Sequence, residues 1–213
     1  MKKVLITGID SFTGVYLSSY LEKFGYDVCG TSLSNVSYKK YKCDITKKED
    51  ILNVLNIVKP DFFVHLSGIS FAAHDNNEDF YKVNTIGTIN ILDAFIELNL
   101  KPIKIIIASS ATVYGNQGVE VLNESMCSIP ANHYGASKYA MECMAKNYFD
   151  KLNIIITRPF NYTGIGQSEH FLIPKIIKHF KEKKEIIELG NIDVCREFND
   201  IDFVCDVYKK LLE

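Results

Sequence analysis

The apolar residues of this chain fall into short unbroken runs, separated by longer stretches in which they recur every third or fourth position. Val4-Leu5-Ile6, Phe62 to Leu66 and Lys104-Ile-Ile-Ile-Ala108 are the clearest runs. Each is too short for a helix and lacks apolar–polar alternation, which suits a strand buried on both faces of a parallel sheet. Asp27 to Ser32, Tyr41 to Asp44 and Asn153 to Arg158 read as further strands. Between the runs the period is helical. Val15, Leu17 and Leu21, with Tyr16, Tyr20 and Phe24, predict a helix from Thr13 to Phe24. Residues 47–58 and 134–151 predict two more. Over 79–98, Phe80, Val83, Ile86, Ile91, Leu92 and Phe95 give such wide apolar coverage that the helix is either deeply buried or shared with a subunit interface. Strands alternating with helices at this spacing predict an α/β fold, a doubly wound parallel sheet with helices on both faces.

Composition narrows the function without choosing it. A chain of 213 residues buries one substantial core, and 47% hydrophobic with 23% charged residues is ordinary for a globular protein. A net charge of −2 gives no electrostatic case for nucleic acid or an anionic membrane. The lysines of 178–184 are interleaved with glutamate, the pattern of a solvated helix face. No apolar run reaches the ~18–20 residues that span a bilayer. The opening Met-Lys-Lys and apolar run superficially suggest an export signal, but Asp10 and the glycine turn interrupt it too early. Six cysteines with no Cys-x-x-Cys pair and no metal spacing read as reduced thiols of a cytoplasmic protein.

The first candidate for chemistry is Thr7-Gly-Ile-Asp-Ser-Phe-Thr-Gly14, lying between the first strand and the first helix. Gly8 and Gly14 stand at the outer places of a Gly-x-x-Gly-x-x-Gly loop, with Ser11 in the middle one. Such a turn lets the backbone approach a pyrophosphate, whose charge the first amides of the helix accept. A strand, a glycine turn and a helix also occur in any α/β protein. Thr31 and Ser32 stand where an NAD-preferring fold carries an acidic residue, and Lys39, Lys40 and Lys42 follow. This tilts the reading from NAD toward NADP. Asp44 can cap the following helix and can equally bond an adenine amine. Ser67 and Gly68 place small residues at the end of a strand, where cofactors lie in open sheets. Asn84 reads equally as a core backbone-bonder or as a group near the site, and His65 as a satisfied core histidine.

Tyr134 and Lys138 are four apart at the start of a helix and share one face. Ser110 follows the neighbouring strand, so the three can meet at the carboxyl edge of the sheet. A phenol of pKa ~10 is too weak an acid for neutral pH. An ammonium about 4 Å away at an effective dielectric of ~20 contributes roughly 4 kcal/mol, about three pKa units. The serine would orient a carbonyl while the tyrosine exchanges its proton.

These stretches resemble the extended short-chain dehydrogenase/reductase family, in its nucleotide-sugar branch. The resemblance covers Thr7–Gly14, Cys43-Asp44-Ile45, His65–Gly68, Ser109–Gly115, Tyr134–Lys138, Arg158–Gln167 and Arg196–Asp202. The last two look most like GDP-6-deoxy-4-keto-mannose reductases and GDP-mannose 4,6-dehydratases. The resemblance implies that Ser110, Tyr134 and Lys138 are catalytic. It implies cofactor contacts from Gly8, Ser11, Phe12 and Gly14, and from Thr31, Ser32, Asp44 and Ile45. Leu66, Ser67, Gly68, Asn84, Ser109, Tyr134, Lys138 and Pro159 complete that set. Ser110, Thr112, Asn161, Gln167 and Arg196 would face the sugar nucleotide. Residues 1–160 would form the NAD(P)-binding unit, and 161–213 the start of an interleaved substrate lobe.

Ser11 departs from the family's second glycine. Ala111 and Thr112 stand where dehydratases carry carboxylates, which disfavours dehydration. Family members also run on past this length, so the chain reads as a shortened member lacking part of the nucleotide-binding lobe. The expectation is a 4-keto reductase acting on a GDP-deoxyhexose. A sugar-nucleotide 4-epimerase and a non-catalytic NAD(P)-binding remnant are the alternatives. The family also implies a homodimer through the helices at 79–98 and 134–150.

Overall fold

Alternate residues of the apolar runs feed two different cores. A computed structural model describes residues 1–34, 36–71, 75–190 and 192–213. Val4, Ile6, Phe62, Val64 and Ile106 pack on one side of the sheet with Leu17, Leu21, Ile201, Val204 and Tyr208. Leu5, Phe63, Ile105 and Ile107 point the other way, onto Val54, Leu55, Ile91, Phe95 and Met141. Successive side chains of a strand face opposite sides, so an unbroken run is what a doubly covered sheet requires.

The strands are β1 (Lys3–Thr7), β2 (Asp27–Ser32), β3 (Lys40–Lys42), β4 (Phe62–His65), β5 (Lys104–Ala108) and β6 (Ile154–Thr157). They form one parallel sheet in the order β3-β2-β1-β4-β5-β6. That is the Rossmann order, which changes direction between β1 and β4 and opens a crevice at their carboxyl ends. Helices α1 (Phe12–Lys23) and, late in the chain, α7 (Ile201–Leu212) cover one face. Helices α2 (Lys48–Val58), α4 (Gly87–Glu97) and α5 (His133–Ala145) cover the other. A second, two-stranded parallel sheet pairs β7 (Asn161–Thr163) with β8 (Phe198–Asp200), and α6 (Leu172–Lys181) lies between them in sequence.

Several expected elements are trimmed or broken. The third strand stops at Lys42, because Asp44 bends into a turn in which its Oδ1 accepts from the Thr46 amide and hydroxyl. The helix expected over 134–151 ends at Ala145 and continues as a 3-10 turn, Lys146–Tyr148. The stretch 79–98 is not one α-helix. A short α3 (Asn77–Phe80) runs into a π turn (Tyr81–Ile86), and α4 follows. The wider turn goes with the inward placement of Asn84, which is fully buried. Val15 in α1 and Phe24 just past its end face solvent, leaving Leu17 and Leu21 to hold the helix on the sheet.

Candidate active site

The loop between β1 and α1 is built by contacts that a side chain would block. Gly8 has φ +69°, and a Cβ there would lie 3.1–3.2 Å from Ser67. A Cβ on Gly14 would fall 2.3 Å from the Gly8 carbonyl oxygen. Ser11 is in ordinary extended backbone, φ −68°, so the middle place has no need of glycine. Its hydroxyl accepts from the Gly14 amide at 3.1 Å and caps α1.

Two other elements converge on the same edge. Ser110 follows β5 and accepts through Oγ from the Thr112 amide at 3.2 Å and the Thr112 hydroxyl at 2.9 Å. Its own proton is therefore available to another acceptor. Asn132 caps α5, accepting from the Gly135 amide at 2.8 Å, and a Cβ on Gly135 would lie 2.9 Å from the Thr112 carbonyl oxygen. The first turn of α5 is thus seated on the loop that carries Ser110. Tyr134 lines the same groove as Ser110, and Lys138 Nζ donates to the Ala108 carbonyl oxygen at 2.7 Å.

The expected electrostatics are corrected here. Burial pushes the Tyr134 phenol above its ordinary value; Ser110 draws it back only partly, and Lys138 is not among the causes. Burial also weakens the lysine itself, lowering it to about 8. Loss of solvation opposes either charge, and the ammonium is directed at a backbone carbonyl rather than at the phenol.

Ser110, Tyr134 and Lys138 line a groove of about 670 Å³ together with Ser11, Phe12, Leu66, Gly68, Ser109 and Pro159. Asn161, Gln167 and Arg196 line it too, as does Thr112, bonded to the serine. That volume suits a sizeable organic ligand. Gly8, Gly14 and Ser67 are not among its lining residues; Gly8 packs against Ser67, and Gly14 against Gly8. Among the described residues, Ser109 Oγ is the buried side-chain oxygen with no partner.

Other expected contacts lie elsewhere. Ile45 belongs to the core under α2, and its carbonyl oxygen accepts from Asn90. Asn84 bonds the Ile69 backbone at both amide atoms and donates to Ser137 Oγ at 3.1 Å, so it acts as a clamp inside the fold. Thr31 is 2% exposed, and Ser32 lends its Oγ to the Ser34 amide. Asp44 is engaged by Thr46 and Lys47. Of the three lysines, Lys39 pairs with Asp27 and Lys40 with Asp10. Arg196, by contrast, does line the groove; it is exposed, with a bond to the Cys195 carbonyl oxygen.

His65 is the satisfied core histidine that its apolar surroundings suggest. Thr88 Oγ1 donates to the Asn84 carbonyl oxygen, so it accepts from His65 Nε2–H at 3.0 Å. Nδ1 is left to accept from the Thr7 hydroxyl at 2.7 Å. Burial, with Lys138 nearby, lowers His65 to about 3 and keeps it neutral.

Tyr162 was given no role by the sequence. Its hydroxyl bonds Thr13 Oγ1 at 2.8 Å, its ring stacks on Phe12 at 6.3 Å, and it lines the groove. Glu142 and Arg158 were likewise overlooked as a pair. The recurrence of Glu142 four residues after Lys138 is the signal that could have found them.

The sequence pattern of the NAD dependent epimerase/dehydratase family matches residues 4–213. The chain is 37% identical over 211 residues to a GDP-6-deoxy-D-talose 4-dehydrogenase of Aggregatibacter actinomycetemcomitans, covering 99% of this chain and 70% of that one. It is 28% identical over 222 residues to a GDP-6-deoxy-D-mannose reductase of Pseudomonas aeruginosa, with coverage of 99% and 70%. The solved structure of RMD from Pseudomonas aeruginosa complexed with NADPH superposes with a TM-score of 0.84 at 25% identity. That match covers 100% of this chain and 74% of the other.

Proposed function

The chain belongs to the NAD dependent epimerase/dehydratase family, and on that premise we propose that it is a nucleotide-sugar oxidoreductase reducing the 4-keto group of a GDP-linked deoxyhexose. The observation that carries the reading is that Ser110, Tyr134 and Lys138 line the same groove as Asn161, Gln167 and Arg196. The residues present fit NAD(P): the Gly8 and Gly14 backbones come close where a side chain would intrude, and Ser109 Oγ is a buried hydroxyl awaiting a partner. Bound NAD(P)H supplies the hydride.

The chain's own part is proton transfer. A phenol held above its ordinary value is protonated at neutral pH, the form that gives a proton to a carbonyl oxygen undergoing reduction. The free Ser110 proton orients that oxygen. Once the proton has left Tyr134, the Ser110 hydroxyl beside it stabilises the phenolate, and Lys138 holds the helix in place through the Ala108 carbonyl oxygen. Arg196 offers a planar fork to the diphosphate, and Asn161 and Gln167 face the sugar. Thr31 and Ser32 bring no carboxylate to the end of β2 and Lys42 follows them in β3, which tilts the cofactor toward NADP. The exposed Ile86 at the end of the π turn and Ile96 on α4, with Met144 on α5, favour pairing of two copies through these elements. Six free thiols accord with a cytoplasmic protein.

The test is NADPH and NADH consumption with a panel of 4-keto sugar nucleotides. Net oxidation of cofactor with GDP-linked substrates supports the proposal. Sugar interconversion without net oxidation would make the protein an epimerase, and binding without turnover would make it a remnant; either overturns it.

A further inference from the structure

We propose that Tyr162 is a positioning residue that couples the two ligands of the groove: through Thr13 it ties the segment 161–167 to the first turn of α1, so that a dinucleotide and a sugar nucleotide strengthen each other's binding. The inference rests on the functional reading above for the identity of those ligands. Tyr162 on β7 and Thr13 on α1 are 149 residues apart, and their hydroxyls lie 2.8 Å from one another. Both residues line the groove. The Tyr162 ring stacks on Phe12, with centres 6.3 Å apart and planes 17° from parallel. The rest of the segment is seated on the same helix. A Cβ on Gly164 would fall 3.2 Å from the Phe12 ring and 2.5 Å from Ile201, and the Tyr16 hydroxyl donates to the Ile165 carbonyl oxygen at 2.7 Å. Gln167 Nε2 donates to the Tyr162 carbonyl oxygen at 3.0 Å. Asn161 and Gln167, which line the groove, are thus carried by a segment anchored on α1.

The Tyr162–Thr13 bond has a direction that a ligand can set. In the protein alone either hydroxyl can be the donor. Thr13 stands in the first turn of α1, where a helix offers its free amides to an anion. A pyrophosphate only accepts, so toward it Thr13 must donate. The threonine oxygen is then left to accept from Tyr162, whose phenol keeps its proton at neutral pH because burial pushes it above its ordinary value. Tyr162 is held in one orientation, and with it the backbone that carries Asn161 and Gln167. Order imposed by the first ligand costs the second less, whichever arrives first. The Tyr16 bond cannot do this, because a hydroxyl facing a carbonyl has one direction only. Tyr16 tethers the segment, whereas Tyr162 responds to what α1 holds.

The experiment is calorimetry on the full chain with NADPH and GDP-mannose, whose sugar has no keto group for NADPH to reduce. Each ligand is titrated alone and into protein saturated with the other. In wild type, saturation with NADPH should tighten GDP-mannose binding by about fivefold or more, and the reverse titration should give the same factor. Tyr162→Phe should bring that factor to about one, while affinity for either ligand alone falls by less than about tenfold. Thr13→Val, which breaks the same bond from α1, should also abolish the factor, and the double variant should do no more. Tyr16→Phe should keep the wild-type factor. Failure of either ligand to bind wild type, no coupling there, a factor unchanged in Tyr162→Phe, or its equal loss in Tyr16→Phe overturns the proposal. If Tyr162→Phe fails to fold, Thr13→Val decides by its factor alone. Should wild type show the coupling yet reduce no 4-keto sugar nucleotide, the functional reading falls and the coupling stands; turnover without coupling is the reverse.

Discussion

The Lys138 ammonium is bound to the carbonyl oxygen of Ala108 at 2.7 Å and so ties the helix carrying Tyr134 to the strand that leads into Ser110. The lysine is fixed in place at the cost of its charge being poorly solvated, and burial lowers it to about 8. The unfolded chain keeps this proton to ~10.4, so between about 8 and that value it binds more protons than the folded protein, and stability rises with pH. Lys138→Met removes the buried charge. The variant should be more stable than wild type at pH 7 by about 1–3 kcal/mol, with the gap closing by pH 10. Urea unfolding at the two pH values checks both the sign and the closure.

Tyr134→Phe deletes the proposed proton donor and leaves the ring among its neighbours. Reduction should fall by about 10²–10⁴-fold while cofactor binding, followed by fluorescence, is unchanged. Retention of turnover would remove Tyr134 from the chemistry.

His65 carries the same pH signature in a more acidic window. Its folded value is lowered to about 3, so between there and the ordinary ~6.5 the unfolded chain binds the extra proton. Stability should therefore decline as pH falls below about 6.5, by up to ~1.4 kcal/mol per pH unit from this one group. His65→Gln cannot titrate and should flatten that slope by about one proton. Chemical denaturation from pH 7 to pH 4 would show the difference directly.

Gly14→Ala would drive a methyl group to 2.3 Å from the Gly8 carbonyl oxygen, and backbone cannot swing aside as a side chain can. The expected destabilisation is about 1–3 kcal/mol, together with loss of NAD(P) binding measured by calorimetry. A neutral substitution would mean that the loop does not need this close approach.

The apolar runs at Val4, Phe62 and Ile105 by themselves determined a doubly covered parallel sheet, because side-chain direction alternates with fixed period along a strand. The glycine turn, the Ser110 loop and the Tyr134–Lys138 spacing were equally legible, since local geometry sets each of them. The sequence placed Tyr134 and Lys138 on one face but not their electrostatics, for a pKa depends on desolvation, and desolvation on everything packed around the group. It could not separate Ile45 and Asn84, turned inward, from Leu66 and Gly68, which open onto the groove. Nor did it join Glu142 to Arg158, sixteen residues apart and brought together only when β6 adds to the edge of the sheet beside α5. Contacts of that kind form across the fold rather than along the chain, so only the tertiary structure decided them.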